Sequence, residues 1–300
     1  MVIHNRTTLR CLRLFGHQDW IRYGVRDRVL RRLCRPEAAP SHDFEVGFYG
    51  LRYQGNLRSY LDWVVYFYGA YAKQELLLLG DLLKDKTDPV CLDIGANVGQ
   101  HSLFLSRYCK EVHAFEPYHP VRMQLQDKIS RNRIRNVMVH DVGIGERNGE
   151  LDFYAPAGAN TGTGSFVPSH AVDNNRWIGR LRVVNGDEYL SRRELERIDL
   201  IKIDVEGFEK SVLRGLCTTL RKCRPVVVME FSEDTRHSFS GEDELMSMLP
   251  ERYRVKHITS NKAFAVFFNK AKYECTDFNF STSRGNLLLA PQERGAMGGP

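Results

Sequence analysis

From Val90 onward, short apolar runs alternate with longer amphipathic stretches, and this rhythm constrains the fold more than any other feature of the sequence. Short apolar runs are typical of buried parallel strands, and the stretches between them have the periodicity of helices. We predict strands at 90–94, 111–116, 137–142, 199–204, 226–231, 253–258, 263–268 and 286–290. We predict helices at 98–108, 119–131, 208–222 and 242–249. The rhythm therefore indicates an α/β fold of the Rossmann-like type, with a mostly parallel sheet and helices on both faces.

An arginine-rich extension precedes this α/β region. Residues 1–36 hold nine arginines and two acids, which leaves +7, whereas the rest of the chain holds 34 basic and 35 acidic residues, which leaves −1. Among the arginines, Ile21, Val25, Val29 and Leu33 recur every four residues and predict an amphipathic helix. We interpret it first as a helix packed on its own domain, with its arginines solvated. An anionic membrane surface, an acidic partner and a targeting role are the alternatives.

The chain divides into three parts by pattern. We assign residues 1–60 to the basic extension (helix, linker and hairpin), 61–292 to the α/β domain and 293–300 to a disordered Gly/Pro tail. The seven cysteines are scattered without a Cys-x-x-Cys pair, which argues against a disulfide framework and a zinc ribbon and favours a reducing, cytoplasmic compartment. We expect neither a membrane-spanning segment nor a secretory signal.

The loop after the first strand carries the strongest functional signal. Val90-Cys91-Leu92 ends on Asp93-Ile94-Gly95-Ala96-Asn97-Val98-Gly99, which opens a helix. A dinucleotide site requires a middle glycine so that pyrophosphate can approach the helix, and this loop lacks it. S-adenosylmethionine carries an ammonium group and no phosphate, and Asp93 would suit that ammonium. We therefore predict S-adenosylmethionine as the cofactor. Two alternatives are that Asp93 only caps the turn and that the protein is a nicotinamide-dependent oxidoreductase.

Two further strands also end on acids. Glu116-Pro117 follows the second strand, where an acid commonly binds a ribose diol. Asp141-Val142 closes the third strand, where the acid could accept from an adenine amino group; a solvated turn residue is the alternative for Asp141. Three acids at three successive strand ends are more specific together than singly.

The fourth strand leads into Lys202-Ile203-Asp204-Val205-Glu206-Gly207-Phe208-Glu209. It should lie beside the first strand, which puts Asp204 and Glu206 near the reactive end of the cofactor. We predict Asp204, and second Glu206, as the base that takes a proton from an alcohol acceptor; capping of the next helix is the alternative. A buried Lys202 requires an acidic partner, for which we expect Glu230 or Asp93.

Other chemistries have weaker support. His140 and His170 are alternative bases. No metal-spaced His/Cys cluster is present, so we expect no metal. The turn at Asp204-Val205-Glu206-Gly207 differs from the Asn/Asp-Pro-Pro-aromatic turn typical of enzymes that methylate bases, which disfavours nucleic acid as a partner. A protein acceptor and a non-catalytic binding protein remain alternatives, and the oligomeric state cannot be read from the sequence.

These motifs, taken in order, resemble the FkbM family of S-adenosylmethionine-dependent methyltransferases. The matching pieces are Asp93–Gly99 with Ser102, Phe115-Glu116-Pro117, Asn136-Val137 leading into Gly143-Ile144-Gly145, Asn160-Thr161-Gly162 before Ser165, and Lys202–Glu209. The resemblance implies a class I methyltransferase sheet of seven strands with the last antiparallel, and methyl transfer to a hydroxyl of a sugar, glycan or natural product.

The same resemblance implies roles for individual residues. Asp93, Gly95, Asn97, Gly99, Glu116 and Asp141 would contact the cofactor, with Ala96, Pro117 and Val142 beside them, and Asp204 and Glu206 would face the acceptor. The chain departs from the family upstream, where members often show Tyr-Glu: Tyr71 is followed by Ala72, and the nearest acid is Glu75. Tyr71 is still expected to line the cofactor pocket. Acceptor specificity should lie in 149–184, with 158–164 as a flexible loop, and in the N-terminal region.

Overall fold

The computed structural model describes residues 6–156, 164–167, 175–260 and 273–292. Its α-helices are α1 (Arg6–Gly16), α2 (Tyr23–Leu33), α3 (Tyr60–Tyr68), α4 (Lys73–Leu83), α5 (Gln100–Leu105), α6 (His119–Arg131), α7 (Gly186–Ser191), α8 (Glu209–Gly215), α9 (Cys217–Cys223), α10 (Glu233–Ser238) and α11 (Glu242–Met248). Its strands are β1 (Asp43–Phe48), β2 (Leu51–Asn56), β3 (Val90–Ile94), β4 (Glu111–Phe115), β5 (Val137–His140), β6 (Gly143–Gly145), β7 (Gly149–Pro156), β8 (Asn175–Asn185), β9 (Leu200–Ile203), β10 (Val226–Phe231), β11 (Tyr253–Ser260), β12 (Tyr273–Asp277) and β13 (Gly285–Pro291).

The central sheet has eight strands within the described residues, in the order β12-β11-β13-β10-β9-β3-β4-β5. The five strands from β10 to β5 run parallel to one another, and β13 is antiparallel to both β10 and β11. The predicted α/β class and the antiparallel last strand are therefore confirmed. β12 is an additional edge strand that the sequence pattern did not predict, and the strand predicted at 263–268 lies outside the described residues.

The central strands are apolar because helices cover both faces of the sheet. All five residues of β3 are buried. Cys91 packs into one hydrophobic cluster, whereas Leu92 and Ile94 pack into the other, as the alternation of side chains along a strand requires. The first cluster includes the aromatic residues of α3, and the second includes α8, α9 and α11. The central strands are thus packed on both faces, and their ends can position the residues of a site.

Two helix predictions differ from the structure at glycines. The helix predicted at 208–222 is two helices that meet at Leu216. A Cβ on Gly215 would lie 2.0 Å from the carbonyl oxygen of Gly145, so the end of α8 contacts the β6 backbone directly. The sequence from Tyr60 to Leu83 has helical periodicity and predicts a helix that is broken near Gly69 and Gly80. The helix does break at Gly69, where φ is +90°, but α4 continues through Gly80.

The N-terminal extension folds onto the domain, but not in the way the periodicity predicts. The buried residues of α2 are Arg26 and Leu30, whereas Val25 and Leu33 are 47% and 44% exposed. The expectation that the helix packs on its own domain is confirmed, but the expectation that its arginines are solvated is wrong for Arg26, and the apolar stripe is only partly buried. Arg26 occupies the inner face because it donates to the Gly16 carbonyl oxygen at 2.6 Å and pairs with Asp19 at 3.0 Å.

The hairpin of the extension, which the mixed apolar and polar pattern around Gly47 and Gly50 predicts at 44–54, is confirmed as the antiparallel pair of β1 and β2. No helix in the described part of the chain is long and apolar enough to cross a membrane. The boundaries we gave to the extension and the α/β domain stay predictions, and the tail at 293–300 lies outside the described residues.

A second, three-stranded sheet, in the order β6-β8-β7, extends from the end of β5. The sequence pattern did not predict it. Tyr154 of β7 forms an isolated bridge with Ser165, which holds the segment 164–167 against this sheet. Phe153 of β7 packs edge-on against Phe166 with ring centroids 5.0 Å apart. This small sheet therefore supplies an aromatic wall beside the carboxyl ends of the central strands.

Candidate active site

A cleft that is partly open to solvent lies outside the carboxyl ends of β3, β4 and β9. Its lining residues are Ile94, Gly95, Asn97, Phe115, Glu116, Pro117, Tyr118, Val121, Gly143, Ile144, Phe153, Gly164, Phe166, Asp204, Val205, Glu206 and Phe208. Ligands bind at this edge of open α/β sheets. The loop at 158–164 falls outside the described residues except for Gly164, and so does His170.

The loop after β3 passes directly against the turn after β9. Gly95 has a φ of +82°, and a Cβ there would lie 1.8 Å from the carbonyl oxygen of Asp204, so only glycine fits. The Asp204 N–H also donates to the carbonyl oxygen of Ile94 at 3.0 Å. The amides of Gly95 and Ala96 both donate to the carbonyl oxygen of Phe115. The loop is therefore fixed to the strands on both of its sides.

Gly99 and Asp93 do not line the cleft but lie behind this loop. A Cβ on Gly99 would lie 2.3 Å from Cδ1 of Leu125, so this glycine allows α5 to approach α6. Asp93 is fully buried and accepts from Oγ of Ser102 at 2.5 Å. Its Oδ1 has no hydrogen-bond donor within the described ranges. Burial raises the pKa of Asp93.

Glu116 is held rigidly at the end of β4. Its Oε2 accepts from the Asn97 amide at 2.9 Å, and its Oε1 accepts from the Tyr118 amide at 2.8 Å. Each carboxylate oxygen keeps a further lone pair for a ligand in the cleft. Burial raises the pKa of Glu116 to about 7. Pro117 lines the cleft next to it, as its position in the sequence predicts.

The acid predicted at the end of the third strand does not reach the cleft in this structure. Asp141 is exposed and Val142 is buried in the core, and the cleft is lined instead by Gly143 and Ile144. The chain turns into β6 directly after Asp141 and Val142, so the residues that line the cleft come two positions later in the sequence.

His140 is part of the buried core of the sheet. Its ring stacks on Phe115 with centroids 4.4 Å apart, and its Nε2 lies 3.0 Å from Nδ1 of His113. Burial lowers the pKa of His140 to about 3, and His140 is absent from the cleft lining. These contacts fit a packing role rather than that of a base.

Lys202 is the buried cation of the site, 2% exposed. Its Nζ lies 2.8 Å from Oδ2 of Asp204. The expected ion-pair partner, Glu230 or Asp93, is therefore wrong: the acid two residues along the same chain makes the contact. Burial opposes the charge of Lys202, but Asp204, Asp93 and Glu75 outweigh it and raise its pKa.

The turn after β9 is held by an acid to which we assigned no role. Glu209 accepts the amides of Val205 at 3.0 Å and Gly207 at 3.3 Å through Oε1, and the hydroxyl of Thr235 at 2.7 Å through Oε2. Helix α8 begins at Glu209 without a side-chain cap, so the alternative that Asp204 or Glu206 caps it does not match the structure. The sequence contained a signal for this role, because Glu209 lies only four residues after Val205 in the same motif and can reach back to its amide.

Three carboxylates converge beside the cleft. Oxygen atoms of Asp204, Glu206 and Glu230 all lie within 4.8 Å of one another. Burial, reinforced by the neighbouring acids, raises the pKa of Glu206 to about 8 and that of Glu230 to about 10. A cluster of three carboxylates balances its negative charge by taking up protons or by binding a divalent cation. The expectation of no metal stays a prediction.

Tyr71 and Glu75 complete this cluster from α4 and the turn before it. Burial and the charges of Asp204, Glu230 and Glu206 raise the pKa of the Tyr71 hydroxyl, although Tyr71 is not among the cleft-lining residues. Its backbone is fixed by Gln100, whose Oε1 accepts the Tyr71 amide at 2.7 Å. Glu75 is buried, accepts from Asn286 at 3.0 Å, and is one of the acids that stabilise the charge of Lys202.

Replacing Glu230 with glutamine should flatten the pH dependence of stability. A carboxyl whose pKa is raised on folding stabilises the fold fully below its unfolded value of 4.5, and this contribution is lost as pH rises toward the folded value of about 10. Removing the carboxyl should make the decline of unfolding free energy with pH shallower, by up to about 1.4 kcal/mol per pH unit. Urea unfolding across neutral and alkaline pH measures it, with the exposed Glu150→Gln variant as control. Equal slopes in Glu230→Gln and the parent protein would contradict the prediction.

An acid-lined cleft at the carboxyl edge of a sheet of this topology defines a class I methyltransferase fold. A family model described as the methyltransferase FkbM domain matches residues 93–255. The 2-O-methyltransferase NoeI of Sinorhizobium fredii is 31% identical over 180 residues, which cover 56% of this chain and 72% of NoeI. The chain therefore belongs to the FkbM methyltransferase family, and the resemblance seen in the sequence is confirmed.

More distant proteins are also similar. The hexuronic acid methyltransferase AglP of Haloferax volcanii is 28% identical over 144 residues, which cover 47% of this chain and 55% of AglP. A crystal structure of methyltransferase FkbM from Methylobacillus flagellatus KT aligns with a TM-score of 0.40 and 18% identity, over 67% of this chain and 43% of that chain. Membership of the FkbM family makes this chain a methyltransferase.

Proposed function

We propose that the cleft binds S-adenosylmethionine and that the enzyme methylates a hydroxyl oxygen on a sugar, glycan or natural-product acceptor. The observation that carries the proposal is the set of acids at the strand ends: Glu116 fixed in the cleft at β4, and Asp204 and Glu206 in the cleft after β9. Behind them, Asp93 offers a buried oxygen that no donor in the described residues satisfies.

The residues present fit this cofactor. The lone pairs that Glu116 keeps are suited to a ribose diol, and the unsatisfied oxygen of Asp93 is suited to an ammonium, directly or through water. Gly95 and Asn97 would bring the loop backbone close to the ligand, and the loop lacks the middle glycine that a pyrophosphate needs. When bound, S-adenosylmethionine supplies an electrophilic methyl group on a positively charged sulfur.

The two carboxylates in the turn after β9 are the candidates for the base that takes the proton of the acceptor hydroxyl. Glu206 lines the cleft, and its raised pKa of about 8 lies near a working pH, as an efficient base requires. Asp204 also lines the cleft, but one of its oxygens is engaged by Lys202. Glu206 would accept the hydroxyl proton while the acceptor oxygen takes the methyl group and the bond from that methyl to the cofactor sulfur breaks. Asp204 would orient the hydroxyl, whereas the sequence predicted Asp204 as the first candidate for the base and Glu206 as the second.

The acceptor class rests on two supports. NoeI is named a 2-O-methyltransferase and AglP a hexuronic acid methyltransferase. In this chain Phe153, Phe166 and Phe208 line the cleft on the side of the turn that carries Glu206. Flat aromatic rings beside carboxylates suit a hydroxylated ring, whose apolar face can pack on them while its hydroxyls are hydrogen-bonded.

Calorimetric titration tests the cofactor. We expect saturable binding of S-adenosylmethionine to the purified protein and none of NAD. Replacing Glu116 with alanine should weaken binding at least about tenfold, because a buried hydrogen-bonded carboxylate contributes about 1.5–3 kcal/mol. The exposed Glu150→Ala variant is the matched control. Binding of NAD instead, or equal affinity in Glu116→Ala, would refute the assignment of this cleft.

Localisation in a reducing compartment stays part of the proposal. All seven cysteines are free thiols, including Cys91 and Cys109, whose sulfur atoms lie 3.0 Å apart in the core. Mass spectrometry after alkylation of the freshly extracted protein would test it, and seven modified cysteines per chain are expected.

A further inference from the structure

The segment that comprises α1, α2 and the turn between them exposes large apolar side chains and arginines. We call it the basic apolar surface and define it by Leu14, Trp20, Arg22, Val25, Arg28 and Arg32. Leu14 and Trp20 are 65% and 62% exposed, and the three arginines are exposed as well. Val25, Arg28 and Arg32 share one face of α2, because residues three and seven apart in a helix point the same way.

This surface is a fixed part of the folded domain rather than a loose arm. A Cβ on Gly16 would lie 2.3 Å from the carbonyl oxygen of Phe67, so the end of α1 contacts the backbone of α3. The Arg13 side chain donates to the carbonyl oxygen of Tyr66 at 3.2 Å. Arg26 links the end of α1 to α2 through the Gly16 carbonyl oxygen. The exposed side chains are therefore held in place before any partner arrives.

The positive charge of this surface is not neutralised by ion pairs within the described residues. The two acids of the segment, Asp19 and Asp27, form ion pairs with Arg26 and Arg31. In the described part of the chain, the structure gives no acidic ion-pair partner to the three arginines of the basic apolar surface. The surface therefore attracts an anionic partner.

We propose that the basic apolar surface docks the enzyme on an anionic lipid membrane. Tryptophan favours the headgroup level, aliphatic side chains gain from burial just below it, and arginines beside them attract anionic lipids. A nucleic acid would satisfy the arginines but would leave Leu14 and Val25 in water. Each helix has 11 residues, too short to span a bilayer, so α1 and α2 lie along the membrane surface.

Vesicle co-sedimentation of the full chain tests the proposal. We expect binding to vesicles of equimolar phosphatidylcholine and phosphatidylglycerol and little binding to phosphatidylcholine alone. The triple variant Leu14→Ser, Trp20→Ser, Val25→Ser should bind anionic vesicles at least on the order of tenfold more weakly, and so should the double variant Arg28→Glu, Arg32→Glu. The control is Leu77→Ser with Met246→Ser, which removes two apolar side chains elsewhere that are each 38% exposed.

The outcomes separate the possible partners. Retained thermal stability with lost vesicle binding in both variants supports the proposal. Equal binding to neutral and anionic vesicles, or anionic binding that the triple variant keeps in full, overturns it. Binding only to duplex DNA or to an acidic protein, without any to vesicles, overturns it too. None of these results depends on cofactor binding, which is measured separately.

Discussion

Replacing Lys202 with methionine should lower the free energy of unfolding by about 3–5 kcal/mol at neutral pH. Lys202 is buried and its ammonium offsets the negative charge of Asp204, at 2.8 Å, and of the buried acids Asp93 and Glu75. Without it, these carboxylates must take up protons or lie buried without a counter-charge. Urea unfolding measures the loss, with Lys222→Met as the control at an exposed lysine.

The loss in Lys202→Met should shrink as pH falls, because protonated carboxyls no longer need the ammonium. A loss of less than about 1 kcal/mol at every pH would contradict a charge-balancing role. If the methionine variant does not fold, Lys202→Arg keeps the positive charge and should retain most of the stability.

Replacing Glu206 with glutamine should lower kcat by about 10²–10⁴-fold while the affinity for S-adenosylmethionine stays within about twofold. The amide keeps the size of the side chain but cannot take a proton from the acceptor. Because the base must be ionised to act, kcat of the parent enzyme should rise as pH increases through about 8, and the variant should lack that rise. Glu233→Gln, at an exposed acid after β10, is the control.

The companion variant Asp204→Asn distinguishes the two carboxylates. If Asp204 orients the hydroxyl, its variant should lose rate but keep the rise of kcat with pH. If Glu206→Gln keeps its rate and its pH profile while Asp204→Asn loses both, Asp204 is the base, as the sequence had first suggested.

The sheet was predictable because each of its central strands is buried on both faces, which leaves an unbroken apolar run in the sequence. The turn residues were predictable because the carboxyl ends of parallel strands meet at one edge of the sheet. Gly95, Asn97, Glu116 and Pro117, with the two acids after β9, all line the cleft as expected.

What failed depends on contacts between distant parts of the chain. The periodicity of α2 could not show that Arg26 would reach the carbonyl oxygen of Gly16 and displace the apolar stripe from the interior. No sequence pattern showed that Phe153 and Phe166 would line the cleft, because they are positioned by pairings between β6, β7 and β8 and by the bridge between Tyr154 and Ser165. Glu75 joins the acids around Lys202 only because α4 packs beside the strand ends, which no spacing reveals.

The contact between Gly95 and the carbonyl oxygen of Asp204 has a bearing on how such an enzyme can be redesigned. The two loops that hold cofactor and base are locked together through their backbones, so a change in one will be transmitted to the other. Attempts to alter acceptor choice by rebuilding the turn after β9 should therefore damage cofactor binding as well. Phe153 of β7 lines the same cleft from the separate small sheet, so exchange of β7 and β8 between relatives should change acceptor choice with less damage to cofactor binding.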